Sequence, residues 1–368
     1  MKYTRGMKRV VFLFAQNDLS GHTKFVAELA KELDSLDYEC TAYVPIFTHF
    51  WYTFNVMEAR RPFHWLRYVK GQVKQMIKAK RIGWAGRQIY KEMRVKRFMH
   101  LPKQKYLDQF DYIIISAGWH ARELSSIGFQ DFKRILQVIH HPHTQVFDEN
   151  DYVFRNGEFP IITSCSDTRK VCELLDYKIT DTILLGVSEN YLSVKKQVSN
   201  DRIKIGFFYR NINRKNPKLT LEVINCVFSE NPNIEIHVFG SGFQDSMLPF
   251  RVFAHQNLSE HDYIAYLSQM EIFVYISKIE GFGLPPLEAM ALGIPVISSK
   301  VGAVAEYMKN DIDGIIIDIS GSCSDFCEQI NNLVADKHKR IVMGRNARDS
   351  AKQLSWRRVA QKYSKYLV

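Results

Sequence analysis

No apolar run in this chain approaches the ~18 residues that mark a membrane-spanning helix, so none is expected. The run Val10 to Ala15 near the amino terminus is too short for a secretory signal core and reads as a first strand. The chain is therefore expected in the cytoplasm. Cysteine is sparse. Cys40, Cys165, Cys172, Cys226, Cys323 and Cys327 form no C-x-x-C pair, which argues against a zinc site and for reduced structural thiols. No internal repeat or low-complexity segment stands out. Acidic residues are in short supply, 39 against 50 Lys and Arg, for a net charge of +11. The shortage is local. From Glu58 to Lys105, fifteen Lys and Arg face two Glu, a surplus of +13 that leaves the rest of the chain at −2.

What is present suffices for two cores: 368 residues, 46% of them hydrophobic, fit a two-domain chain. The most informative stretch runs from Ser277 to Ile297, S-K-I-E-G-F-G-L-P-P-L-E-A-M-A-L-G-I-P-V-I. The apolar run Ile272 to Ile276 before it reads as a buried parallel strand. A loop with Gly281 and Gly283 follows. Pro285 and Pro286 suit the first turn of a helix, and Gly293 suits its end. Ile294 to Ile297 is the next strand. The loop thus lies at the carboxyl end of a strand, where open α/β sheets bind ligands. Helix N-terminal N–H groups favour an anion. Glu280 and Glu288 flank that position, and carboxylates accept hydrogen bonds from hydroxyls. A ligand with hydroxyls on both sides of its phosphates fits, and a sugar nucleotide is such a molecule.

This whole string, with Ser277 before it and Gly302 and Glu306 after it, resembles the E-x7-E signature of retaining GT-B glycosyltransferases of the GT4-like group. The resemblance is firm from about Ile203 onward, looser over residues 1–190 and absent over the basic segment. It implies an α/β, GT-B fold: two doubly wound Rossmann-like domains facing a central cleft. The expected division is an amino-terminal domain over 1–195 with a basic insertion at about 58–105, a nucleotide-sugar domain over 202–350, and a closing helix over 351–368. The resemblance also implies roles. Glu280 contacts sugar hydroxyls and Glu288 the ribose. Backbone N–H groups around Gly281, Phe282, Gly283 and Leu284 hold the sugar and phosphates. Arg210 and Lys215, in the loop after the strand Ile203 to Phe208, match the basic pair on the donor diphosphate. Gly21 carries over from the glycine-rich first loop, where Ser20 stands for the family's other glycine. His140, with His141 and His120 as alternatives, matches the sugar-facing histidine. Asp311-Ile312-Asp313 forms a D-x-D string, but it matches the loop before the family's last strand, so no metal and no cofactor are expected.

The basic segment carries its own pattern. Leu66, Val69, Val73, Met76 and Ile77 fall on one helical face, with Arg67, Lys70, Lys74, Lys78 and Arg81 beside it. Such an amphipathic helix fits an anionic membrane surface, and it equally fits a stripe packed on the first domain with its cations solvated. The function implied is sugar transfer from a nucleotide sugar to a glycan or lipid-linked acceptor, with retention, in bacterial surface polysaccharide or glycolipid assembly. Two other readings stand beside it. A GT-B sugar-nucleotide epimerase would need no acceptor and no basic insertion. A non-catalytic protein docking its basic segment on nucleic acid would need no donor site, so a complete donor site speaks against nucleic acid as partner.

Overall fold

The computed structural model describes residues 7–13, 21–45, 93–98, 103–115, 124, 128–140, 159–194, 202–231, 233–243 and 252–368. The amphipathic stripe at 66–81, His120, His141 and the loop at 14–20 lie outside the described residues. The chain divides into two compact units. One comprises Met1–Thr163, Val171–Asp181 and Ala360–Val368, the other Ser164–Lys170 and Thr182–Val359.

The first unit is built on a seven-stranded sheet of β1 (Lys8–Leu13), β2 (Tyr38–Pro45), β3 (Arg94–Phe98), β4 (Tyr112–Ile115), β5 (Ile135–Ile139), β6 (Ile161–Thr163) and β7 (Asp181–Thr182), in the order β3-β2-β1-β4-β5-β6-β7. From β3 to β6 each pairing is parallel. Val10 to Leu13, Ile113 to Ile115 and Ile135 to Ile139 are buried throughout, as strands covered on both faces must be. The helix Gly21–Asp34 lays Phe25, Val26, Leu29, Ala30 and Leu33 against the sheet. Towards its carboxyl end the basic segment contributes to the sheet: Arg94–Phe98 forms the edge strand β3 on β2. Exposed Arg94 and Lys96 suit that place, since charge on an edge discourages pairing with a second chain.

The second unit repeats the plan. Strands β8 (Ile203–Arg210), β9 (Ile234–Ser241), β10 (Val252–Gln256), β11 (Ile272–Tyr275), β12 (Val296–Ser299) and β13 (Ile315–Ile317) run in the order β10-β9-β8-β11-β12-β13, all parallel. The strand expected at Ile294 begins two residues later, because left-handed Gly293 and Pro295 keep that stretch out of the ladder. On one face, Ile205, Phe207, Ile272 and Val274 pack with Val223 and Val227 of the helix Pro217–Glu230 and with Phe326 and Ile330 of the helix Cys323–Ala335. Against the helix Leu284–Ala291 lies the helix Lys337–Lys352. There a Cβ on Gly344 would stand 2.3 Å from the Gly293 carbonyl oxygen, so only glycine permits that approach. In each sheet the strand order reverses beside the first strand of the unit, between β1 and β4 and between β8 and β11. Ligands of doubly wound sheets bind at the carboxyl ends of strands at such a point. Among the described residues no helix is long and apolar enough to cross a membrane.

Candidate functional site

The loops leaving β8 and β11 meet at the reversal of the second sheet. After β8 the chain makes a short 3-10 turn, Asn213–Lys215, and left-handed Asn216 starts the helix Pro217–Glu230. After β11 comes the glutamate loop. Lys215 Nζ lies 2.5 Å from Glu280 Oε1, with both side chains almost fully buried, at 6% and 7% exposure. The same ammonium donates to Tyr275 Oη at 2.6 Å. It lies 5.0 Å from the centre of the Phe208 ring and 4.9 Å from that of Tyr275, a cation–π setting. The Ser277 hydroxyl stands 2.6 Å from Glu280 Oε1 and 2.8 Å from the Arg214 carbonyl. Arg214 Nη1 faces Glu280 Oε2 at 3.4 Å.

Burial is the main force on Lys215. It lowers the ammonium pKa from 10.5 to about 8, with Glu280 opposing and Arg214 and Arg210 assisting. Burial likewise pushes the Tyr275 hydroxyl well above its ordinary range, so it stays protonated. The sequence pattern singled out Arg210 and Lys215 as a pair. In the structure Lys215 is held against Glu280, the second cation on that carboxylate is Arg214, and Arg210 is exposed at the end of β8. Arg214 was concealed because the motif spacing falls on its neighbour. Tyr275 was concealed because it closes an apolar run that reads as core.

The glycine loop presents a row of donors. Three successive carbonyls are tied back into the unit. Gly281 O accepts from Cys165 Sγ at 3.0 Å, Phe282 O from Ala303 N at 2.9 Å, and Gly283 O from Tyr307 Oη at 2.7 Å. In a planar trans peptide the N–H points opposite to the carbonyl. The N–H groups of Phe282, Gly283 and Leu284 therefore face away from those three anchors, which is the row the sequence assigned to the ligand. Gly283 has φ 94°, a left-handed conformation that side chains rarely adopt, and it caps the helix Leu284–Ala291 without a side-chain bond. Glu288 is buried one turn into that helix. Both Glu280 and Glu288 push the buried Tyr307 hydroxyl pKa upward, after burial itself. The segment Ser164–Lys170 is held in this unit by Cys165 and by Glu306. The Glu306 carboxylate accepts from Ser166 N at 2.8 Å and Ser166 Oγ at 2.7 Å, as an acidic group at a helix N-terminus does.

The D-x-D string is occupied by the fold. Asp313 is buried. One of its carboxylate oxygens accepts from Lys309 N at 2.5 Å and the other from Ser350 Oγ at 2.7 Å. Asp311 is the left-handed residue of the turn, with its N–H on Gly314 O. In the first unit, Gly21 begins the helix after β1. His140 directly follows β5, with its ring centre 4.4 Å from that of Phe25 and 5.7 Å from that of His22. Burial, then His22, holds the His140 imidazole well below its usual pKa, so it is neutral at pH 7.

Residues 191–350, which contain the second unit's arrangement apart from the Ser164–Lys170 segment, match the family described as glycosyl transferases group 1. Over this segment the chain is similar to the group 1 glycosyltransferases. Similar curated proteins include a capsular polysaccharide biosynthesis glycosyltransferase of Staphylococcus aureus. It is 27% identical over 46% of this chain and 47% of its own length. A D-inositol 3-phosphate glycosyltransferase of Corynebacterium kroppenstedtii is 34% identical over 23% of this chain and 19% of its own. The chain thus spans about half or less of the length of these relatives. Among solved structures, HepE of Anabaena in complex with UDP and glucose superposes with a TM-score of 0.71 at 13% identity, over 98% of this chain and 99% of that one. A glycosyltransferase of Rickettsia africae gives 0.69 at 13%, over 98% of each chain. At such identity the likeness is one of fold: two Rossmann-like units of the GT-B kind.

Proposed function

We propose that this chain is a metal-independent, retaining group 1 glycosyltransferase that binds a nucleotide sugar on its second unit. The observation that carries the reading is the buried Lys215–Glu280 pair beside the three N–H groups of Phe282, Gly283 and Leu284. In the reaction the bond from the anomeric carbon to the diphosphate oxygen breaks, and that oxygen keeps the electron pair. The acceptor hydroxyl oxygen bonds to the same carbon and its proton leaves. Fixed donors and cations lower the barrier by meeting the charge that develops on the leaving group. Lys215 has three N–H donors, and Glu280 and Tyr275 take two. The third, with Arg210, Arg214 and the backbone N–H row, is assigned to the diphosphate. Glu280 is assigned to sugar hydroxyls, Glu288 to the ribose, and neutral His140 to the sugar as a hydrogen-bonding group. The occupied carboxylate of Asp313 supports a site that works without a metal.

The reading is tested by a panel of UDP-, GDP- and ADP-sugars, with released nucleotide measured. At least one donor should turn over. Turnover should be the same with and without added Mg²⁺ or Mn²⁺. A strict requirement for either ion overturns the metal-independent assignment and returns attention to Asp311 and Asp313. Conversion of the sugar nucleotide to its epimer, with no acceptor consumed, would instead make the chain an epimerase.

A pH dependence follows from Lys215. Its pKa is lowered to about 8 in the folded protein. The ammonium that should meet the diphosphate is present below that value and lost as pH rises through it. UDP affinity measured by calorimetry should fall above pH 8 by at most about tenfold per pH unit, the slope for one proton. The same group acts oppositely on stability. Between about pH 8 and 10.5 the unfolded chain binds the extra proton, so this residue alone makes the fold more stable as pH rises. A flat UDP affinity from pH 7 to 9.5 removes Lys215 from the diphosphate.

For the acceptor, the amphipathic stripe at 66–81 favours a glycan carried on a lipid, because each cation near an anionic bilayer contributes about 1 kcal/mol. The protein should sediment with anionic vesicles and release as salt shortens the Debye length. Replacing Lys70, Lys74 and Lys78 by Glu should abolish the binding and spare UDP affinity. A wild-type protein that ignores anionic vesicles at low salt points to a soluble acceptor.

A further inference from the structure

Away from the glutamate loop, two helices of the second unit bring three thiols together. Cys226 lies on the helix Pro217–Glu230. Cys323 opens the helix Cys323–Ala335, and Cys327 follows one turn later. The three Sγ atoms all lie within 4.8 Å of one another, and no other group of three His, Cys, Asp or Glu side chains converges in this way among the described residues. The Cys323 and Cys327 sulfurs are 3.8 Å apart. Four ligands set tetrahedrally at about 2.3 Å around a zinc ion place neighbouring sulfurs about 3.8 Å apart. The i, i+4 pair already has that spacing.

The surroundings fit a cation better than a plain core patch. Glu230 Oε1 stands 3.5 Å from Cys226 Sγ. Its other oxygen accepts from Asn331 Nδ2 at 2.6 Å, and Asn331 in turn accepts from Asn231 Nδ2 at 2.7 Å. Such a hydrogen bond orients a carboxylate toward a metal. Cys226 and Cys323 are partly exposed, so an ion can reach the buried Cys327. All three thiols are free. Small apolar thiols alone would fill this interface, but apolar filling gives no reason for the Glu230 carboxylate beside Cys226.

We propose that Cys226, Cys323 and Cys327, with a water molecule as the fourth ligand, form a structural site for a thiophilic divalent cation of the zinc class, which staples the two helices. Binding forms three metal–sulfur bonds and one metal–oxygen bond and releases three thiol protons to solvent. The staple fixes the helix whose first residue, Pro217, follows Lys215 by two positions. It has no part in sugar transfer, and its test reads no turnover.

The test uses the full chain, reduced and freed of metal, titrated with Cd²⁺ and with Zn²⁺. Thiolate-to-cadmium absorption should rise and saturate at one equivalent per chain, and Zn²⁺ should raise Tm. Loss of an outer-shell partner typically weakens a metal site by about 10–100-fold, so loss of a ligand should cost at least on the order of 100-fold. Cys226→Ser and Cys323→Ser should each show that loss, and Cys40→Ser should not. Cys226 is only partly buried, so its variant should fold, and circular dichroism checks this. Three results would overturn the site: no saturating absorption, Cd²⁺ binding unchanged in folded Cys226→Ser, or elemental analysis and titration both finding no ion on wild type.

Discussion

Lys215→Ala should cut turnover at saturating donor by roughly 10²–10³-fold, the usual effect of removing one fixed donor to developing charge. It should also lower stability. The ammonium is buried against Glu280 at 2.5 Å, and breaking a buried pair typically costs about 3–5 kcal/mol because a charge is left behind. Arg214 and Ser277 still face Glu280 in the variant, so the loss should fall at the low end, about 3 kcal/mol or less. A second substitution separates the two effects. Methionine keeps an apolar stem beside the Phe208 and Tyr275 rings but carries no charge. Lys215→Met should recover part of the stability in a urea melt and none of the turnover. Turnover within a few-fold of wild type in both variants would mean that the diphosphate is held elsewhere, with Arg210 and Arg214 the next cations to remove.

Much of this site is readable in the sequence because the strand–loop–helix rhythm is strict. An apolar run, two glycines, two prolines and a glycine stop leave one place for the loop and one for the helix. Gly283 is legible for the same reason, since a helix entered through a left-handed residue calls for glycine. What cannot be read is which side chains converge from distant parts of the chain. Cys165, Ala303 and Tyr307 hold three successive carbonyls of the loop, yet none has a linear spacing to Gly281 that would betray it. The thiol cluster escapes for the same reason: a scan for C-x-x-C passes over Cys323 and Cys327, which stand four apart, and never meets Cys226. The edge strand Arg94–Phe98 is hidden differently. Its cations make it resemble the rest of the basic segment, whereas an edge strand tolerates that charge and even benefits from it.

Replacing Glu280 and Glu288 in turn should give opposite results with free nucleoside diphosphate. If Glu288 binds the ribose, Glu288→Ala removes a charged acceptor from two neutral hydroxyls. Hydrogen bonds to charged groups contribute about 1.5–3 kcal/mol, so UDP affinity by calorimetry should weaken about 10–100-fold. Glu280 is different because its carboxylate is already engaged by Lys215, Arg214 and Ser277. Glu280→Ala frees both cations without touching the ribose. UDP should then bind as tightly as before or more tightly, while turnover should fall by roughly 10²–10³-fold because the sugar has lost a fixed partner in the transition state. Glu280→Gln should behave in the same direction, since the amide keeps the shape but cannot neutralise Lys215. The sign of the change at Glu280 decides the assignment. If Glu280→Ala weakens UDP as much as Glu288→Ala does, the Lys215–Glu280 pair acts as a single anchor for the diphosphate, and the sugar must be recognised by other residues.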